Sequence, residues 1–262
     1  MILDAFSLGG KVAIITGSGR GIGKGIALAF AEAGADVVCA DIELPGAEAT
    51  AAEARTAGRK ALAIACDVTD SQQVESMVAQ TIQEFGRIDI LVNNAGGANY
   101  CPAMKYSDKR WEAVVRLNLT AAFICCRAVA KHMLEQKSGS IINIYSGNSR
   151  VPAPGMVAYS AAKAGINSMT KTLAWELAPH VRVNCILPGA IETEGSGPAL
   201  APVIAKLLAG TPRKRMGTPR DIALAAIFLA SPASDFVTGK KLEVDGGMEF
   251  VDLDPAEMGK GG

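Results

Sequence analysis

Net charge is the first thing this sequence lacks: 26 Lys and Arg are matched by 26 Asp and Glu, so the formal charge is +0. Nothing is left over to neutralise a phosphate backbone or an anionic lipid surface, and neither nucleic-acid nor membrane binding is expected. Histidine is nearly absent, His132 and His180 being the whole complement. The six cysteines (Cys39, Cys66, Cys101, Cys125, Cys126 and Cys185) form no C-x-x-C pair. A zinc site of the usual Cys/His type is therefore not expected, nor any other metal. Several of these thiols sit in apolar runs, where free cysteine behaves as a small hydrophobe, which suits a reducing, cytoplasmic setting. No uninterrupted apolar stretch approaches the ~20 residues of a membrane helix. Met1 to Gly10 lacks a basic region followed by an apolar run, so no secretory signal is expected.

What the chain does have is apolar material: 49% of its 262 residues are hydrophobic, enough for the core of one large α/β domain. Short apolar runs alternate with longer amphipathic ones. Strands are predicted at Lys11–Thr16, Asp36–Asp41, Lys60–Cys66, Ile88–Asn93, Ser140–Tyr145, Val181–Leu187 and Lys241–Val244. Helices are predicted up to about Ala33 and over Pro45–Ala57, Gln72–Phe85, Asp108–Glu135, Ala158–Leu177 and Arg220–Ala230. Near-continuous apolar strands separated by helices imply a doubly wound, Rossmann-type parallel sheet of about seven strands with helices on both faces. No repeat or linker divides the chain. One domain spanning 1–262 is expected, with Thr193–Pro202 as a loop over a site and about 250–262 as a flexible tail or one draped over a neighbouring subunit.

Thr16-Gly-Ser-Gly-Arg-Gly-Ile-Gly23 follows the first strand and opens the first helix. Missing Cβ atoms at Gly17, Gly21 and Gly23 allow a sharp turn and close approach of a pyrophosphate, and the free amides of the helix start attract its charge. Asp41 ends the second strand, where a carboxylate can bind the hydroxyls of an adenosine ribose. It would repel the extra phosphate of NADP, so NAD is favoured; Arg20, a guanidinium in the turn, would attract that phosphate.

Tyr159 and Lys163 are four residues apart in Tyr159-Ser-Ala-Ala-Lys163, with Ser146 thirteen residues upstream. On a helix the two lie on one face. An ammonium beside a phenol favours the phenolate and draws its pKa down from about 10 toward the working range. A hydroxyl from Ser146 can hold a substrate oxygen while the tyrosine moves a proton.

Together with Asn93-Asn-Ala-Gly96, Asn118 and Pro188-Gly-Ala-Ile-Glu-Thr193, these motifs resemble the short-chain dehydrogenase/reductase family over about Lys11 to Gly247. The resemblance implies that Tyr159 is the general acid/base, that Lys163 lowers its pKa and holds the nicotinamide ribose, and that Ser146 binds the substrate oxygen. Asn118 is implied to distort its helix and anchor a water that links Lys163 to solvent. The implied cofactor set is Gly17, Ser18, Gly19, Arg20, Gly21, Ile22 and Gly23 in the turn, Asp41 and Ile42 after it, and Asp67 with Val68 at the adenine. Asn94, Ala95 and Gly96, Tyr159 and Lys163, and Pro188, Gly189, Ile191 and Thr193 complete it, while Asn93 is implied to steady the sheet.

The substrate pocket is expected from Tyr145, Ser146, Asn148, Met156 and Tyr159, with Asn99, Tyr100, Met104, Val151, Pro152 and Gly189–Leu200 nearby. Tyr145 stands where the family more often has a small residue, so it either narrows the pocket or packs at a strand end. Arg213-Lys-Arg215 reads as a solvated basic turn or as an anchor for an anionic substrate.

The function so implied is hydride transfer between NAD(H) and a secondary alcohol or ketone, a cyclic or steroid-like one among the candidates. The run is similar to bacterial 7α-type hydroxysteroid dehydrogenases, though sugar, polyol and acyl-thioester members share its features. An NADP-dependent 3-oxoacyl-thioester reductase is the alternative, and a nucleotide-binding sensor without chemistry is the alternative of another class. The resemblance also implies a homo-oligomer, dimer or tetramer, paired through the two long helices.

Overall fold

The computed structural model describes residues 1–98, 100–150, 152–194 and 201–248, the side chains of 201–203 excepted. The expectations placed on Asn99, on Val151, on 195–200 of the loop and on the tail from 250 lie outside the described residues. Strands β1 (Val12–Thr16), β2 (Asp36–Asp41), β3 (Ala61–Ala65), β4 (Ile90–Asn93), β5 (Gly139–Ile144), β6 (Val181–Pro188) and β7 (Lys241–Val244) form one sheet in the order β3-β2-β1-β4-β5-β6-β7. Every pairing is parallel. The strand order reverses between β1 and β4, and the crevice beyond the carboxyl ends there is where such sheets bind ligands.

The period-2 alternation of the strands sorts side chains to two cores. Ala13, Ile15, Val37, Cys39, Ile90, Val92, Ile142 and Ile186 face one way, against α1 (Gly21–Glu32), α2 (Leu44–Arg55) and α8 (Pro219–Ala230). Ile14, Val38, Leu91, Ile141 and Val183 face the other, against α3 (Ser71–Phe85), α5 (Ala121–Glu135) and α6 (Val157–Glu176). Burial of each such aliphatic side chain contributes about 1.5–3 kcal/mol.

Helix ends follow local chemistry. Asp70 caps α3 by accepting from Gln72 N at 2.8 Å, and Gly86 closes it at φ 75°. Thr218 and Asp221 form a capping box around Pro219 at the start of α8.

The predicted helix over Asp108–Glu135 divides into α4 (Asp108–Val115), a π turn (Arg116–Thr120) and α5. This 28-residue stretch is long and apolar enough to cross a membrane by length and composition. Its apolar side chains Ile124, Cys125, Val129 and Met133 are instead buried against the sheet. A helix α7 (Ala201–Ala209) begins within the last two residues of the loop expected over Thr193–Pro202. An apolar run with proline in its first turn carries no periodic signal strong enough to separate it from the polar loop before it.

Candidate active site

The glycine turn is held from behind by β4. Thr16 Oγ1 accepts from Asn94 N and Ala95 N, both at 3.1 Å, and the Asn94 amide donates to Thr16 O (3.0 Å) and Gly17 O (2.9 Å). Asn94, expected at the cofactor, thus has its side chain committed to the turn, and Thr16, at the end of a strand, gives no sequence signal of the role its hydroxyl takes in holding it. A Cβ at Gly17 (φ +63°) would meet the Ala95 backbone at 2.8 Å, and one at Gly23 would lie 2.1 Å from Gly17 O. The backbone here is packed as closely as glycine permits. Helix α1 starts without a side-chain cap, so its first amides face the crevice as donors for an anion. These features fit a dinucleotide pyrophosphate.

Around the turn, Ser18 is fully buried and donates to Ala40 O at 3.3 Å. Arg20 is exposed and Ile42 is 68% exposed, both open to a ligand. The Asp41 carboxylate accepts from Gly19 N (2.8 Å) and Glu43 N (3.0 Å), which fixes it at the rim beside the turn. Asp67 Oδ1 accepts from Thr69, and Val68 lies in the core at the crevice edge. Thr193 comes from the far side of the sheet to within 3.5 Å of where a Gly21 Cβ would stand. Ile191 bridges to Gly217.

Asn118 sits in the π turn, 2% exposed. Its amide donates to Val114 O, four residues back, and to Gly97 O, both at 3.0 Å, while its Oδ1 accepts from Gly97 N at 3.0 Å. A side chain competing for a backbone carbonyl widens the helix there. The expected distortion is present and holds the loop after β4. Asn93 donates to Asn143 Oδ1 (2.8 Å), and Asn143 to Thr170 (2.9 Å), a polar thread through the sheet to α6.

Tyr159, Lys163 and Ser146 converge as expected. The Ser146 hydroxyl is near enough to Tyr159 to act on the phenol's proton affinity, and Lys163 Nζ lies 5.8 Å from the Tyr159 ring centroid. The electrostatics differ from the expectation. Burial pushes the Tyr159 phenol up, against the nearby Ser146 hydroxyl, which lowers it. Lys163, buried, is pushed down to about 8 by the same desolvation. Its Nζ donates to Ile144 O at 3.0 Å and lies over the Tyr159 ring.

The pocket residues divide. Asn148 donates to Met156 Sδ at 3.0 Å, and its own N–H donates to Ser146 Oγ at 3.3 Å. Tyr145 does not reach the pocket. It is 5% exposed and packs with Ile166, Cys185 and Leu187, because strand alternation turns it to the face opposite Ile144. Met104 points into solvent. Of the basic turn, Arg215 is bidentate to Asp221 (2.8 and 2.9 Å) and Lys214 donates to Ala209 O. That leaves two of its three cations tied to the fold. The cysteines are free and buried, Cys39 being pushed up to about 12 by burial, as expected of small hydrophobes. Among the described residues no cluster of His, Cys, Asp or Glu could hold a metal ion.

Comparison with known proteins agrees with this geometry. A family described as enoyl-(acyl carrier protein) reductase matches residues 17–249. An uncharacterised oxidoreductase of Mycobacterium tuberculosis is 44% identical over 97% of this chain and 98% of its own. A 3-oxoacyl-(acyl-carrier-protein) reductase of Synechocystis is 42% identical over 92% of this chain and 98% of its own. A solved 7α-hydroxysteroid dehydrogenase, complexed with NADH and 7-oxo glycochenodeoxycholic acid, superposes with a TM-score of 0.92 at 38% identity, covering 96% of this chain and 98% of that one.

Proposed function

This chain is an oxidoreductase of the short-chain dehydrogenase/reductase family, and from that premise we propose that it interconverts a secondary alcohol and its ketone with NAD(H). The observation that carries the cofactor preference is Asp41, a carboxylate fixed at the end of β2 by Gly19 N and Glu43 N. A 2′-phosphate brought beside it would meet like charge. A bound nicotinamide supplies or accepts the hydride. Ser146 orients the substrate oxygen, Tyr159 gives it or takes from it the proton, and Lys163 stands beneath to receive the ribose and exchange the proton onward. Similarity to the 7α-hydroxysteroid dehydrogenase supports a cyclic or steroid-like substrate within this reading.

The second reading is an NADP-dependent 3-oxoacyl-thioester reductase, favoured by the exposed Arg20 and by the Synechocystis relative. The sensor without chemistry is disfavoured because Ser146, Tyr159 and Lys163 are all present and convergent. Cyclic, steroidal, sugar and acyl secondary alcohols assayed with both cofactors separate the three. Higher kcat/KM with NAD is expected. Preference for NADP with Asp41 intact selects the second reading, and a thermal shift with NAD but no turnover selects the third. The exposed aromatics Trp111, Phe123 and Trp175 on α4, α5 and α6 support the dimer or tetramer. A light-scattering mass of one 27.1 kDa chain would count against it.

A further inference from the structure

Helix α6 begins without a side-chain cap, so no capping side chain fixes where it starts. Yet Tyr159 is the third residue of that helix and must meet Ser146, which is anchored separately at the end of β5. What precedes the helix supplies the fix. Gly155 adopts φ +79°, and a Cβ there would fall 2.1 Å from Tyr100 Cε2 and 2.4 Å from its Cδ2. The tyrosine ring therefore occupies the place a side chain would take. Cys101 N donates to Gly155 O at 2.8 Å beside it, and Met156 N donates to Ala153 O at 3.0 Å.

Tyr100 is in turn held from α4. Arg110 donates to Tyr100 O at 3.0 Å while its guanidinium sits 5.4 Å from the Tyr106 ring centroid. The loop carrying Tyr100 is fastened at its other end by the two Asn118 bonds to Gly97. The loop after β4 is thus tied to α4 and the π turn and presses on the residue four positions before Tyr159.

We propose that Tyr100 is a positioning residue for Tyr159: its ring, seated on Gly155, sets where α6 begins and so where the phenol stands relative to Ser146. This rests on the reading of Tyr159 as the proton-transferring group. Tyr100 acts through the helix and not on the substrate oxygen, so its loss shows in turnover while the glycine turn keeps its hold on the nucleotide.

The test is a double-mutant cycle in the full-length protein with the best alcohol found, reading kcat, KM and the NADH dissociation constant. Tyr100→Ala and Gly155→Ala are each expected to lower kcat about tenfold to a hundredfold, the range that a misplaced reacting group costs. NADH binding and the kcat of Tyr100→Phe should stay within about twofold of the parent, and the double variant should lose no more than the worse single one. Independent losses that multiply in the double variant, full turnover by Tyr100→Ala, or a Tyr100→Phe as slow as Tyr100→Ala overturn the proposal. If Tyr100→Ala fails to bind NADH, Tyr100→Leu replaces it; reduced kcat there supports the role and parental kcat refutes it. An inactive Tyr159→Phe beside a fully active Tyr100→Ala refutes the positioning role alone, whereas an active Tyr159→Phe refutes the reading beneath it.

Discussion

Tyr159 is the residue where burial and chemistry pull against each other. Desolvation raises its pKa, and the Ser146 hydroxyl, by donating to the phenolate, lowers it. Removing that hydroxyl removes a lowering influence, so Ser146→Ala should move the rising limb of alcohol oxidation, where Tyr159 loses its proton, to higher pH as well as reduce kcat. A pH–rate profile of the two proteins checks this, and a limb that stays in place or moves down contradicts it. The i, i+4 spacing made the pairing of Tyr159 with Lys163 legible, because helical periodicity alone puts them on one face. The direction of the ammonium was not legible, since it depends on the Ile144 carbonyl donated to the site by another element. Tyr145 was ambiguous for the same kind of reason: an aromatic residue suits a pocket or a core equally, and only the pleat of β5 decides.

The elements were legible where local chemistry dominates. The apolar strands, the glycine turn and the Asp70 and Thr218 starts all announce themselves within a few residues. At α8, Thr218 accepts from Asp221 N while Asp221 accepts from Thr218 N at 2.7 Å. Thr218→Ala should cost about 1 kcal/mol, the usual worth of such a cap. A shift in the denaturant midpoint with an unchanged slope checks it, and an unshifted midpoint contradicts it. The π turn at Asn118 was expected only through family resemblance: asparagine in a helix more often faces solvent, and the Gly97 contacts that hold its side chain inward against Val114 O join residues far apart in sequence. The clasp of Tyr100 on Gly155 left no such signal; Pro152-Ala-Pro-Gly155 reads as a turn and says nothing of the ring that fills it.

For the whole molecule, one reversal of strand order does most of the placing. The glycine turn after β1, Asp41 after β2, the loop after β4, Ser146 after β5 and Thr193 after β6 all emerge at the carboxyl edge because every strand runs parallel. The crevice so formed gathers the glycine turn, Asp41, Ser146 and Tyr159 at one edge of the sheet, the arrangement that the proposed hydride transfer with proton exchange calls for. The measurement that bears on this most directly is steady-state turnover of Tyr159→Phe with NADH binding followed in parallel. The expected result is a kcat lowered by about a thousandfold, within the range general acid–base groups contribute, with the NADH dissociation constant unchanged. Normal turnover by Tyr159→Phe would contradict the account.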